Sequence, residues 1–191
     1  MDIILATNNK NKVLELKRML EPLGYTLYSQ KEKGIQLEVE ENGTTFEENA
    51  RLKAQAIYDL TGCAALADDS GLCVDALDGA PGVYSARYAG EPTDDHRNNM
   101  KLLDALDGVT DRSAQFVSVI CYIDQEGKAH YFRGECAGSI GFEELGQIGF
   151  GYDPIFMVNG RAYAEMTGEE KDAISHRGNA IRLLADFLKG E

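Results

Sequence analysis

The chain has no apolar run approaching the roughly 20 residues that a membrane-spanning helix needs. Its first residues show no basic segment followed by a long apolar stretch and a small-residue cleavage site, so nothing there reads as a secretory signal. Met1 to Ala6 is too short for that role and reads as a strand. A cytoplasmic protein with no membrane partner is the expectation. Cysteine is sparse as well. The four present, Cys63, Cys73, Cys121 and Cys136, form no C-x-x-C pair and have no histidine at zinc-finger spacing. A zinc finger is therefore excluded, and reduced core thiols are the plain reading. A surplus of positive charge is also missing. Lys and Arg number 19 against 32 Asp and Glu, a net charge of −13. Proteins that grip nucleic acid by its phosphates carry a basic face, so no nucleic-acid partner is expected. Internal repeats, low-complexity tracts and linkers are absent. A single domain over residues 1–191 is expected, and a hydrophobic fraction of 43% can fill its core.

What is there alternates between strand and helix signals. A short buried strand at Asp2 to Ala6 leads into the polar run Thr7-Asn8-Asn9-Lys10-Asn11-Lys12. Val13, Leu16 and Leu20 then recur at helical spacing until Pro22 and Gly24 stop them. A second strand is expected at 25–29, and Gln36 to Glu41 alternates like another. Thr45 and Glu48 form a capping box for a helix running to about Leu60. Ala64 to Ala67 reads as a strand interrupted by Asp68-Asp69-Ser70-Gly71 and resumed over 72–76. A helix is expected over 93–106, a hairpin of strands over 114–123 and 128–137, a strand over 155–158, and a last helix starting at Ser175. This pattern predicts an α/β fold, an elongated mixed β-sheet with flanking helices, in two lobes around a central cleft.

Five constellations carry chemistry. The loop from Thr7 to Lys12 opens a helix, where free N–H groups and two lysines suit phosphate; an ordinary polar turn is the alternative, and the loop is not a P-loop. Asp68 and Asp69 lie between apolar strands, where paired carboxylates are costly unless a cation compensates them. Magnesium does so well, because it favours one or two carboxylates plus water and phosphates. A strand-end turn with capping aspartates is the alternative there. Glu38, Glu40 and Glu41 precede Asn42-Gly43, and one of them can complete a metal site with Asp69. In Gly149-Phe150-Gly151-Tyr152-Asp153-Pro154 the glycines allow close approach, aromatics can stack on a base, and Asp153 can accept from base N–H groups. Lys171 and Ser175-His176-Arg177 add cationic groups near a helix start. They form no nucleophile elbow, since no G-x-S-x-G exists.

In these segments, together with Thr45 to Ala50, Lys53 and Gly79 to Arg87, the chain resembles the Ham1-like inosine triphosphate pyrophosphatases, also called dITP/XTP pyrophosphatases. The segments fall in family order over essentially the whole chain. The resemblance implies magnesium-dependent hydrolysis of ITP, dITP and XTP to the monophosphate and pyrophosphate, by a homodimer. It implies that Thr7, Asn8, Asn9, Lys10, Asn11 and Lys12 hold phosphates, assisted by Lys53. Asp69 becomes the general base and a magnesium ligand, Glu40 the second ligand with Glu41 as the neighbouring alternative, and Ser70 a substrate contact. Phe150, Gly151, Tyr152, Asp153, Lys171, His176 and Arg177 would hold the base. The role of Asp68, orienting Lys12 or reaching metal through water, stays open. Two other readings compete: a nucleotide pyrophosphatase of different base specificity, and a nucleotide-binding regulator without catalysis.

Overall fold

A computed structural model describes residues 2–190. Its elements in chain order are β1 (Asp2–Leu5), α1 (Lys10–Leu20), β2 (Thr26–Ser29), α2 (Phe46–Thr61), β3 (Ala65–Val74) and α3 (Asp95–Ala105), then β4 (Ser113–Ile123), β5 (Ala129–Ile140), β6 (Phe156–Val158), β7 (Arg161–Ala162), α4 (Gly168–Ile174) and α5 (His176–Lys189). The seven strands form one open mixed sheet in the order β2-β1-β3-β4-β5-β6-β7. β1 pairs parallel with β2 and with β3, and the intervening helices supply the crossovers that parallel neighbours need. β6 runs antiparallel to β5 and to β7. The α/β class and the mixed sheet with flanking helices agree with the expectation.

The chain divides into two compact units. The first comprises Met1–Asp69, Ser118–Gly134 and Arg177–Glu191, and the second Ser70–Val117 and Glu135–His176. Each has its own apolar core. In the first, Leu16 and Leu20 of α1 and Ile181, Leu184 and Leu188 of α5 recur at helical spacing and pack with Ile3, Leu5, Leu66 and Ile120 of the strands. In the second, Leu102 and Leu106 pack with Leu72, Val74, Phe116, Phe156 and Tyr163. Among the described residues no helix is long and apolar enough to cross a membrane.

Local signals explain most boundaries. The Thr45 hydroxyl accepts from the Glu48 N–H at 3.1 Å and the Glu48 carboxylate accepts from the Thr45 N–H at 3.3 Å, the capping box expected from sequence. Gly62 ends α2 in a left-handed conformation with φ 65°. Two expectations need correction. Asp68 to Gly71 does not break the strand: β3 runs without interruption from Ala65 to Val74, because neighbouring side chains compensate the buried acids. Gln36 to Glu41 alternates but forms no strand, since it pairs with none. Two elements are additional, the two-residue strand β7 and the helix α4. The helix opens with its own capping box, Thr167 and Glu170, and hands over at Ser175 to α5.

Candidate active site

In the first unit, the polar loop after β1 delivers the N-terminus of α1. The Asn9 side chain caps the helix, accepting from the N–H groups of Asn11 at 3.0 Å and Lys12 at 3.2 Å. The Thr7 hydroxyl accepts in turn from the Asn9 N–H at 3.1 Å. Asn8, Lys10 and Asn11 are exposed. A cavity of about 880 Å³ opens beside this loop, lined by Thr7, Asn8 and Lys10 on the polar side and by Val13, Ile35 and Leu37 on the apolar side.

Lys12, one turn into α1, reaches β3 and pairs with the Asp68 carboxylate at 2.7 Å. Asp68 is 1% exposed, and its environment leaves no ambiguity about its charge. Arg177 lies 3.3 Å from one carboxylate oxygen, and the Ser118 hydroxyl donates to the other. Arg177 also pairs with the buried Glu15. Burial alone would raise the Asp68 pKa, but Arg177 and Lys12 outweigh it and hold the carboxyl well below the usual range. Burial works on Lys12 too, and lowers its pKa despite Asp68.

Asp69, the next residue, points to the opposite face of the strand, since side chains alternate along it. Burial pushes its pKa up to about 6, against the pull of Lys53 and Lys12 and with the help of the Glu41 and Asp68 carboxylates. Its Oδ2 is buried and has no hydrogen-bond partner among the described residues. Lys53, from α2, stands 3.8 Å from the other Asp69 oxygen and 2.5 Å from a Glu41 oxygen. Its ammonium also donates to the Asp68 carbonyl at 2.8 Å. The sequence alternatives Glu40 and Glu41 thus separate: Glu40 is exposed, and Glu41 shares Lys53 with Asp69. No group of three or more His, Cys, Asp or Glu side chains is gathered as a metal cage among the described residues. A buried carboxylate oxygen without a donor, with a second carboxylate nearby, suits a cation that takes few protein ligands.

In the second unit, the glycine-rich loop wraps around Asp153. Its carboxylate accepts from the Phe150 N–H at 3.1 Å and from the Lys171 ammonium at 2.7 Å. A Cβ on Gly149 would stand 2.1 Å from that carboxylate, so glycine is required there. Lys171 is 5% exposed and lies 5.0 Å from the Phe150 ring centroid and 5.5 Å from that of Tyr163. The rings of Phe116 and His176 lie nearly parallel, 4.5 Å apart and 12° from coplanar. Tyr152 is turned inward, where its hydroxyl donates to the Ser85 carbonyl at 2.6 Å. Ser70 is half-buried on β3.

The site residues read from sequence therefore fall into two clusters. Lys12, Lys53 and Asp69 come together in the first unit, and Phe150, Asp153, Lys171 and His176 in the second. Arg177, expected at the base, instead lies with Asp68 and Glu15, because those carboxylates flank its guanidinium. Asp153, expected to meet the base directly, is engaged by Lys171 and the Phe150 N–H. Sequence reasoning missed Glu15, Ser118 and Phe116. A lone hydroxyl inside the apolar run of β4 and an acid facing inward beside Leu16 were the available signals, since buried polar groups imply partners.

A model of the Ham1 family matches residues 3–187. The chain belongs to that family. A Desulforamulus reducens relative named dITP/XTP pyrophosphatase is 51% identical, with 98% of this chain and 96% of the relative covered. One of the same name from Exiguobacterium is 48% identical over the full length of both chains. The solved structure of a Ham1 protein from Coxiella burnetii superposes with a TM-score of 0.91 at 41% identity, over all of both chains. That of the Staphylococcus aureus Ham1 protein does so with a TM-score of 0.89 at 44% identity, over 100% of this chain and 99% of the other. The likeness to Ham1 structures thus extends across both units.

Proposed function

We propose that this chain hydrolyses non-standard purine nucleoside triphosphates, ITP, dITP and XTP, to the monophosphate and pyrophosphate, and does so with magnesium. Relatives named dITP/XTP pyrophosphatase, about half identical over the full length, support the activity. The observation that carries the chemistry is the contrast at Asp68 and Asp69. One carboxylate is surrounded by cations, and its neighbour keeps a buried oxygen to which none of the described residues donates.

Phosphoanhydride cleavage is mainly positioning and charge neutralisation. The positive end of the α1 dipole, with Lys10 and Lys12, offsets charge on the phosphates. Lys53 does the same while keeping Glu41 and Asp69 close. Asp69 accepts the proton of the attacking water at Oδ2, with the water directed at the α-phosphorus. Asp69 and Glu41 would hold magnesium, which when bound supplies positive charge and lowers the pKa of its water. Asp68 accepts no proton, because Arg177 and Lys12 keep it ionised; it anchors Lys12 instead.

The second cluster, taken by itself, suits a flat ring. Phe150 offers a stacking face, and Lys171 and His176 offer donors for a 6-oxo oxygen. Adenine presents an amino donor at that position. A buried donor left facing it costs roughly 1–3 kcal/mol. The net charge of −13 favours a small nucleotide over a polymer. A homodimer in the cytoplasm completes the reading, on the strength of the family resemblance, and equilibrium sedimentation tests the dimer.

The direct test is product analysis with purified protein, magnesium and ITP, XTP, GTP, ATP and dTTP in parallel, beside Asp69→Asn. Inosine and xanthosine monophosphates plus pyrophosphate, little turnover of ATP, and an inactive variant are expected. Preferred turnover of another nucleotide would point to a different base specificity, and equal turnover of all five would remove the base-recognition argument but leave the metal site standing. Tight binding without turnover would point to a regulator.

A further inference from the structure

The loop assigned to the base is held from outside by a helix that carries no residue of the family motifs. Gly151 adopts a left-handed backbone, φ 60°, with open space around the position of a Cβ. Glycine is there for conformation rather than room, and with no side chain it leaves the loop free to take other backbone angles unless something fixes them. α3 supplies two contacts. The Asp95 carboxylate accepts from the Gly151 N–H at 2.9 Å, and the Asn99 amide donates to the Gly151 carbonyl at 3.2 Å. Asp95 and Asn99 are four residues apart, so they share one face of α3. An acceptor thus fixes the peptide before Gly151 and a donor fixes the peptide after it. Neither peptide can rotate without losing a bond.

The clamp is itself braced. Asn99 is fully buried, and its amide also donates to the Glu144 carboxylate at 2.8 Å. Both neighbours of its nitrogen are acceptors, which settles the amide's orientation. The other Glu144 oxygen lies 2.8 Å from His96 Nδ1, on the same helix. Packing of α3 does not require any of this, because Leu102 and Leu106 already seat the helix in the core. Adjacent Asn98 shows what a purely structural asparagine does here. It accepts from the Ala89 N–H at 2.7 Å and donates to the Ala86 carbonyl at 2.9 Å, tying a different segment.

We infer that Asp95 and Asn99 are positioning residues for base selectivity, holding the two peptides at Gly151 so that the Phe150–Asp153 loop presents one fixed edge to the purine. The inference rests on the reading that this loop holds the base. A loosened loop would adapt to the wrong purine, and discrimination would fall before chemistry does.

The test compares kcat and KM for ITP and ATP, with magnesium, in the full chain carrying Asp95→Ala, Asn99→Ala, Asp95→Asn or Asn98→Ala, alongside thermal melting. Asp95→Ala and Asn99→Ala should raise KM for ITP more than they lower kcat. The ITP-over-ATP ratio of kcat/KM should fall roughly ten-fold, the order of one well-placed hydrogen bond. Asp95→Asn keeps an acceptor oxygen and should recover most of the ratio. Asn98→Ala should melt earlier with the ratio intact. Asp95 is exposed, so its two variants decide the matter even if Asn99→Ala does not fold. The inference is overturned if the ratio survives in Asp95→Ala, or if Asn98→Ala lowers it equally. A wild-type protein that does not distinguish ITP from ATP would overturn the base-loop reading, and this inference with it.

Discussion

Each unit buries a lysine on an aspartate at the same distance, 2.7 Å, and surrounds the pair differently. Around Lys12 and Asp68 stand further charges: Arg177, Glu15, Lys53 and Asp69. Around Lys171 and Asp153 stand aromatic rings and a loop amide. A buried ion pair is weak evidence of stability by itself, because desolvation offsets much of the attraction. Its neighbours tell more about its use. The first pair is one link in a chain of alternating signs that leaves Asp69 short of a donor, an arrangement suited to phosphate and a hard cation. The second sits among rings, fixes a loop and shapes a flat slot.

Four substitutions and one titration probe that contrast. Asp69→Asn removes the base at the uncompensated end and should lower kcat on ITP by about 10²–10⁴-fold, read by pyrophosphate release. The same variant should melt no earlier than the wild type without metal, because it removes a buried charge that lacks a donor. Asp68→Asn leaves Arg177 and Lys12 undercompensated and should cost roughly 3–5 kcal/mol in urea unfolding. Asp153→Asn strands one buried cation rather than two, so its loss of stability should be smaller. Its main effect should be a raised KM for ITP, because the loop loses its brace.

The titration follows from Asp69. In the metal-free folded chain it holds its proton up to about pH 6, and unfolded it releases it near pH 4. Between those values the folded state binds more protons, so the stability this group contributes falls as pH rises through the window. Urea midpoints should show that slope in the wild type and lose it in Asp69→Asn. Smallest of all is Lys17→Ala. It removes an exposed pair with Glu32, at 2.8 Å, and should change stability by less than about 1 kcal/mol.

Much of this was legible in the sequence, for identifiable reasons. Thr45 with Glu48, the hairpin turn around Asp124, and the helical spacing of Ile181, Leu184 and Leu188 are local signals, and the structure follows them. The strand through Asp68 and Asp69 was not, because its burial depends on Lys12, Arg177 and Ser118, which are distant in sequence. α4 was missed because seven mostly polar residues show little periodicity. Arg177 was misplaced for a related reason: motif order brings it beside His176, but only the fold shows that Glu15 and Asp68 flank it.

The charge-rich cluster is proposed to direct water, through Asp69, at the α-phosphorus of a purine triphosphate. Hydrolysis of ITP in heavy-oxygen water, with both products examined by mass spectrometry, tests it most directly. The label is expected in inosine monophosphate, with pyrophosphate unlabelled. Label in pyrophosphate, or release of orthophosphate instead, would contradict it.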